Sequence, residues 1–155
     1  MMDKNEVTFS VNQDFLQSIS SVLEKAQKNA KTAVNLSMVY AYYEIGRMIV
    51  EEEQQGENRA VYGKRLLNEL SDYLTKNYGK GYSADNLKLM RRFYVIYSQD
   101  QIGETLFPQF ENLPVVSSGR RFFLSWSHYL KLMRIENAEE RHFYEIESIK
   151  NDWSL

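Results

Sequence analysis

The chain reaches residue 108 before it meets a proline, and Pro114 is the second and last. Proline removes a backbone donor and clashes with the preceding helical turn, so long stretches without it leave the helix open as a solution. Those stretches are rich in Leu, Lys, Glu and Ala, which are good helix formers. The expectation is an all-α fold, a compact helical domain rather than a β-sandwich. A length of 155 residues suffices for one domain with its own core, and 43% apolar with 26% charged residues is ordinary for a globular chain.

Apolar spacing divides the helical regions. Phe15, Ile19, Val22, Leu23 and Ala26 recur at one-face helical intervals, and Val34, Met38, Ala41, Ile45 and Met48 form a second stripe. Lys28–Thr32 lies between them as a polar interruption. It either separates two helices, with Thr32 as the second N-cap, or is crossed by one long helix. Gly56 is the expected stop. A further helix is expected from about Arg59 to Asn77, with Leu66, Leu67, Leu70 and Leu74 inward. Gly79 and Gly81 break it, and Ser83 caps the next, Ala84 to about Tyr97. Residues 98–124 hold both prolines and no helical period, and 113–124 has the pattern of a short β-hairpin. Helices are expected again over about Ser127–Ile135 and after Asn137, the last with Phe143 and Ile146 inward. The closing DWSL reads as the start of another helix.

Several classes of function fall away. The chain has no Cys, which removes disulfides and thiolate metal sites and makes a reducing cytoplasm the expected location. No long uncharged apolar run or signal-peptide core is present, so neither membrane insertion nor export is expected. His128 and His142 lack zinc-ligand spacing. The acidic run Glu51–Glu53 with Glu57 is expected to be a solvated face, because consecutive helical residues diverge by roughly 100°. No residue two before a Lys is Asp or Glu, so the carboxylate–x–Lys core of a PD-(D/E)XK nuclease is missing.

Two basic clusters remain as candidate chemistry. The net charge of −2 excludes a uniformly basic coat but not a local patch. On the Ala84–Tyr97 helix, Leu87, Met90, Phe93, Tyr94, Ile96 and Tyr97 share one side, and Lys88, Arg91 and Arg92 share the other. With Lys76 and Lys80 near the glycine turn, this has the layout of a helix-turn-helix offering a basic face. Arg suits guanine edges and phosphates because its planar fork donates two bonds together. The second cluster is Arg120, Arg121, Lys131 and Arg134, interleaved with Trp126, His128 and Tyr129. On its own, each cluster fits an amphipathic helix or an aromatic core better than a binding site.

Several phrases in order change that balance. YYEIGRMIVEEEQQGENRAVYGKRLLNELSDYL, YGKGYSADNLKLMRRFYVIY, LSWSHYLKLMRI and ERHFYEIESIKNDWSL together resemble the N-terminal domain of the YhcG-type family of candidate bacterial nucleases. The resemblance covers about Ala33 to Leu155. It implies a helix-turn-helix-like domain that binds DNA and delivers a following PD-(D/E)XK nuclease domain. The residues themselves give a flexible terminus over 1–11 and one helical domain over 12–152 with the 113–124 hairpin as a wing; the resemblance implies that 153–155 opens a connection to a nuclease half not in this chain. Lys80, Lys88, Arg91 and Arg92 become the expected DNA contacts, flanked by Arg120, Arg121, Lys131 and Arg134. The partners are then DNA, duplex or branched, and the nuclease domain, with a homodimer open. The chain itself is expected to be neither an enzyme nor a cofactor carrier; a divalent metal would serve only the nuclease half. The alternative is a helical protein-interaction module without DNA contact, built on its 11 Tyr and 8 Phe residues.

Overall fold

The computed structural model describes residues 12–56, 59–99 and 120–151, which form five helices and no strand. They are α1 (Gln13–Glu53), α2 (Arg59–Tyr78), α3 (Ala84–Tyr97), α4 (Trp126–Leu132) and α5 (Ala138–Asn151). The fold is all-α. The sequence left open whether Lys28–Thr32 separates two helices; α1 runs through it. That segment has no Gly or Pro, and a polar residue does not end a helix whose backbone bonds can continue. Thr32 is therefore an exposed helical residue and not a cap. No described helix is long and apolar enough to cross a membrane.

The chain divides into two units, one ending at Val34 and the other starting at Asn35. In the first, every described residue is exposed. The second holds the core. There Phe93 of α3 is surrounded by Tyr43, Tyr97, Phe122, Trp126 and Tyr129, with ring centroids 4.9 to 6.1 Å away. Most of these rings meet edge-on or tilted, which sets the positive ring edge against the negative ring face. A second apolar group, Ile49, Leu67, Leu87 and Met90, joins α1, α2 and α3. Gly46 makes the crossing of α1 and α3 possible: a Cβ there would overlap the Met90 carbonyl oxygen.

Local sequence places the helix ends. The Ser83 hydroxyl accepts from the Asn86 amide at 3.1 Å, fixing the start of α3. Before it, Gly79 and Gly81 take φ of +89° and +107°, values that L side chains rarely adopt. Ser125 caps α4 in the same way, and the Asn137 side chain accepts from the Glu140 amide at 2.9 Å to start α5. The helix expected to Ile135 stops at Leu132, and the chain continues through a turn, with the Ile135 amide donating to the Leu132 carbonyl at 3.0 Å.

Two expectations about facing residues change. Phe143 is 55% exposed, while Arg141, Glu145 and Ser148 are buried, so the fully buried positions of α5 are polar, with Ile149 packed beside them against the aromatic core. Val34 and Met48 are also exposed, at 62% and 59%. Residues 120–125 have no strand ladder. Tyrosines satisfy their backbone instead: the Phe122 amide donates to the Tyr40 hydroxyl at 2.9 Å, and the Phe123 amide to that of Tyr129 at 3.2 Å. Most of the expected 113–124 hairpin, the 1–11 terminus and the DWSL segment lie outside the described residues.

Candidate nucleic-acid interface

The basic side chains of α3 have different fates. Arg91 turns towards the end of α1, where its Nε lies 2.9 Å from both carboxylate oxygens of Glu53. Arg92 has an exposed side chain, yet its guanidinium donates to the Met133 carbonyl at 2.8 Å and ties α3 to the end of α4. Lys88 points to solvent; Asp85, 4.0 Å away and itself exposed, neutralises it weakly. Lys80 is exposed in the glycine turn, and Lys76 is exposed in the last turn of α2.

The second cluster separates more sharply. Arg120 is fully buried, with one guanidinium nitrogen 2.6 Å from each oxygen of Glu145. The Tyr129 hydroxyl donates to the same carboxylate at 2.8 Å, and the Arg120 guanidinium lies over the Tyr97 and Phe122 rings. Burial works against the Arg120 charge, but Glu145 together with Tyr129 and Tyr97 outweighs it and holds the guanidinium above its ordinary value. Burial, then the neighbouring Glu145, pushes the Tyr129 phenol well above its ordinary value. Arg121 is also buried, at 8% exposure. A buried guanidinium committed to an internal carboxylate cannot reach a phosphate, so Arg120 belongs to the core. Lys131 and Arg134 are exposed at the end of α4 and in the turn after it.

The acidic run at the end of α1 explains much of this. Its carboxylates diverge, and each finds its own partner: Glu51 meets Arg47 at 2.9 Å, Glu52 accepts from the Tyr62 hydroxyl at 2.9 Å, and Glu53 holds Arg91. The Arg91–Glu53 pair forms one wall of a cleft of about 400 Å³ between α2 and α3. Lys64 and Asn68 of α2 and Lys88 of α3 also line it. With Arg91 matched by Glu53, Lys64 and Lys88 leave the cleft positive. Lys64 had no place among the expected contacts. Its signal was its place at the border of the Leu66–Leu67–Leu70–Leu74 face of α2, one turn from Leu67. Among the described residues, no group of three or more His, Asp or Glu side chains is placed to hold a metal ion.

Comparison with known proteins fixes the family. The description "DUF1016 N-terminal domain" matches residues 18–155. The chain belongs to that family. The Escherichia coli (strain K12) protein named "Putative nuclease YhcG" is 35% identical over 170 aligned residues, which take in all of this chain and 45% of the relative. This DUF1016 N-terminal domain thus spans less than half of that relative's length. The resemblance carried by the ordered phrases is correct at the level of family. No solved structure matches the chain. In the α2–turn–α3 segment of this DUF1016 N-terminal domain, Lys64, Arg65, Lys76, Lys80 and Lys88 are exposed, and Arg91 and Arg92 of α3 hold helices together.

Proposed function

We propose that the α2–turn–α3 segment is a nucleic-acid-binding surface that holds DNA through its phosphates for a nuclease domain elsewhere in the protein. The observation that carries this reading is the cleft where Lys64 and Lys88 stand together without a buried counter-ion. Lys80 adds an exposed cation in the turn that precedes α3, and Lys76 another in the last turn of α2. The relative's description as a putative nuclease supplies the context.

The engaged arginines shape the kind of recognition. A lysine ammonium is a mobile point charge that suits phosphates, whereas bidentate reading of guanine needs a free guanidinium fork. Arg91 and Arg92 spend part of their donor capacity on Glu53 and the Met133 carbonyl. Binding is therefore expected to depend strongly on salt and little on sequence. In this proposal Arg91 and Arg92 keep α3 in place, and Lys131 and Arg134 are further phosphate contacts. The helix-turn-helix reading stands here as the geometry that would present Lys80 and Lys88 to a groove.

The test is a salt series of binding isotherms on duplex, single-stranded and branched DNA. Lys64→Ala/Lys88→Ala should weaken binding to all three and reduce the slope of log affinity against log salt by about 2. Unchanged affinity in that variant, or no binding by the unaltered protein at low salt, overturns the proposal. The exposed apolar face before residue 35 favours a second role in protein association, which is independent of the DNA reading.

A further inference from the structure

The first unit presents an apolar face with no cover among the described residues. Phe15, Leu16, Ile19, Val22, Leu23 and Val34 are between 45% and 65% exposed. At roughly 100° per residue they fall within an arc of about 120° on α1, together with the small side chains of Ala26, Ala30 and Ala33. The opposite side carries Glu24, Lys28 and Lys31. This segment also contains Ser, Asn, Thr, Val and Ile, which are weaker helix formers, so its helix gains much from burying that stripe.

We propose that this face pairs antiparallel with the same face of a second copy of the chain. Phe15, Ile19, Val22 and Ala26 follow alternating four- and three-residue steps, the spacing of a coiled-coil seam. In an antiparallel register, Ile19 lies opposite Val22 of the second copy, and the large Phe15 opposite the small Ala26. Leu16 and Leu23 then face each other along one flank and widen the seam. Charge selects the same orientation. Asp14 stands at the start of the helix, and Lys25, Lys28 and Lys31 follow towards Val34. A parallel pair would hold the two Lys25 side chains at one level along the seam, well separated from either Asp14. The antiparallel pair sets Asp14 near Lys25 of the second copy, on one flank of the seam, and opposes the two helix dipoles. The surface is then isologous, so it closes on a dimer and does not grow into a filament.

Sedimentation velocity over a dilution series, with cross-linking, tests this. The chain should show a concentration-dependent monomer–dimer equilibrium. Ile19→Asp/Leu23→Asp should raise its dissociation constant by roughly 100-fold. Both residues are exposed, so an unchanged near-ultraviolet aromatic spectrum will show that the Phe93 core is intact. The chain has no native Cys, so introduced thiols report orientation without background. Chains carrying Phe15→Cys mixed with chains carrying Ala26→Cys should form a disulfide-linked pair, and Phe15→Cys alone should not. A monomer at every concentration, a dimer indifferent to Ile19→Asp/Leu23→Asp, or efficient self-linking of Phe15→Cys each overturns the proposal. Lys64→Ala/Lys88→Ala should dimerise normally, so failure of the DNA-binding reading leaves this inference standing.

Discussion

Glu145 receives the Arg120 guanidinium and the Tyr129 hydroxyl, and none of the three residues is exposed. Removing one ion of a buried pair leaves the other uncompensated, which typically costs about 3–5 kcal/mol. Replacing both by apolar residues removes the desolvation problem as well as the attraction. Urea denaturation of a double-mutant cycle should therefore show Arg120→Leu and Glu145→Leu each strongly destabilising. Their combination should lose less than the sum, with a coupling of at least about 1 kcal/mol. Additive losses would mean that the pair contributes as two independent side chains. The same pair shows where residue-level reading of the sequence stops. Residue type and helix face made Arg120 and Arg91 look available. Their partners stand 25 and 38 positions away in the chain, and local spacing carries no signal for that.

At the scale of elements, most of the helices were legible. Ser83 and Asn137 each provide a side-chain oxygen at a helix start, and Gly79 and Gly81 provide the turn between α2 and α3; Ser125, which the spacing did not single out, does the same for α4. The fully buried positions of α5 were not legible, because apolar periodicity finds buried positions only when they are apolar, and these are Arg141, Glu145 and Ser148. The contact between α1 and α3 is a further case. Gly46 reads as an unremarkable residue inside a helix, although a side chain there would run into the backbone of α3 at Met90. Glycine in a helix interior ordinarily costs about 1 kcal/mol relative to alanine, so Gly46→Ala would stabilise an isolated α1. In the folded protein the added methyl meets the Met90 backbone, which no rotamer change can move. Gly46→Ala should therefore destabilise by about 1–3 kcal/mol, read as a lower urea midpoint. A raised midpoint would show that α1 and α3 separate at little cost.

At the scale of the whole molecule, the core is aromatic, and its phenols give stability an alkaline limit. Burial, partly offset by a bond with the Phe122 backbone, raises the Tyr40 pKa, and burial followed by Glu145 raises that of Tyr129 much further. Arg120 and Arg121 face Tyr40, and Arg120 and Glu145 face Tyr129; the arginine charges work against both shifts without reversing them. The unfolded chain releases these phenolic protons near the ordinary tyrosine value of about 10. The folded chain still holds them there. Above that pH the unfolded state binds fewer protons, so unfolding becomes easier as pH rises. The contribution is complete below about pH 10 and is lost as pH climbs through the folded values. Each phenol protonated only in the fold gives a slope of roughly 1.4 kcal/mol per pH unit. Tyr129→Phe loses hydrogen bonds and is less stable at neutral pH, but it carries no proton to lose. Its stability should fall less steeply than that of the unaltered protein above pH ~10, by about that slope. Denaturation midpoints across the alkaline range, with phenolate absorbance followed in the same samples, measure the difference. Equal slopes in the two proteins would mean that Tyr129 ionises as readily in the fold as in the unfolded chain, and that the Glu145 network is open to water.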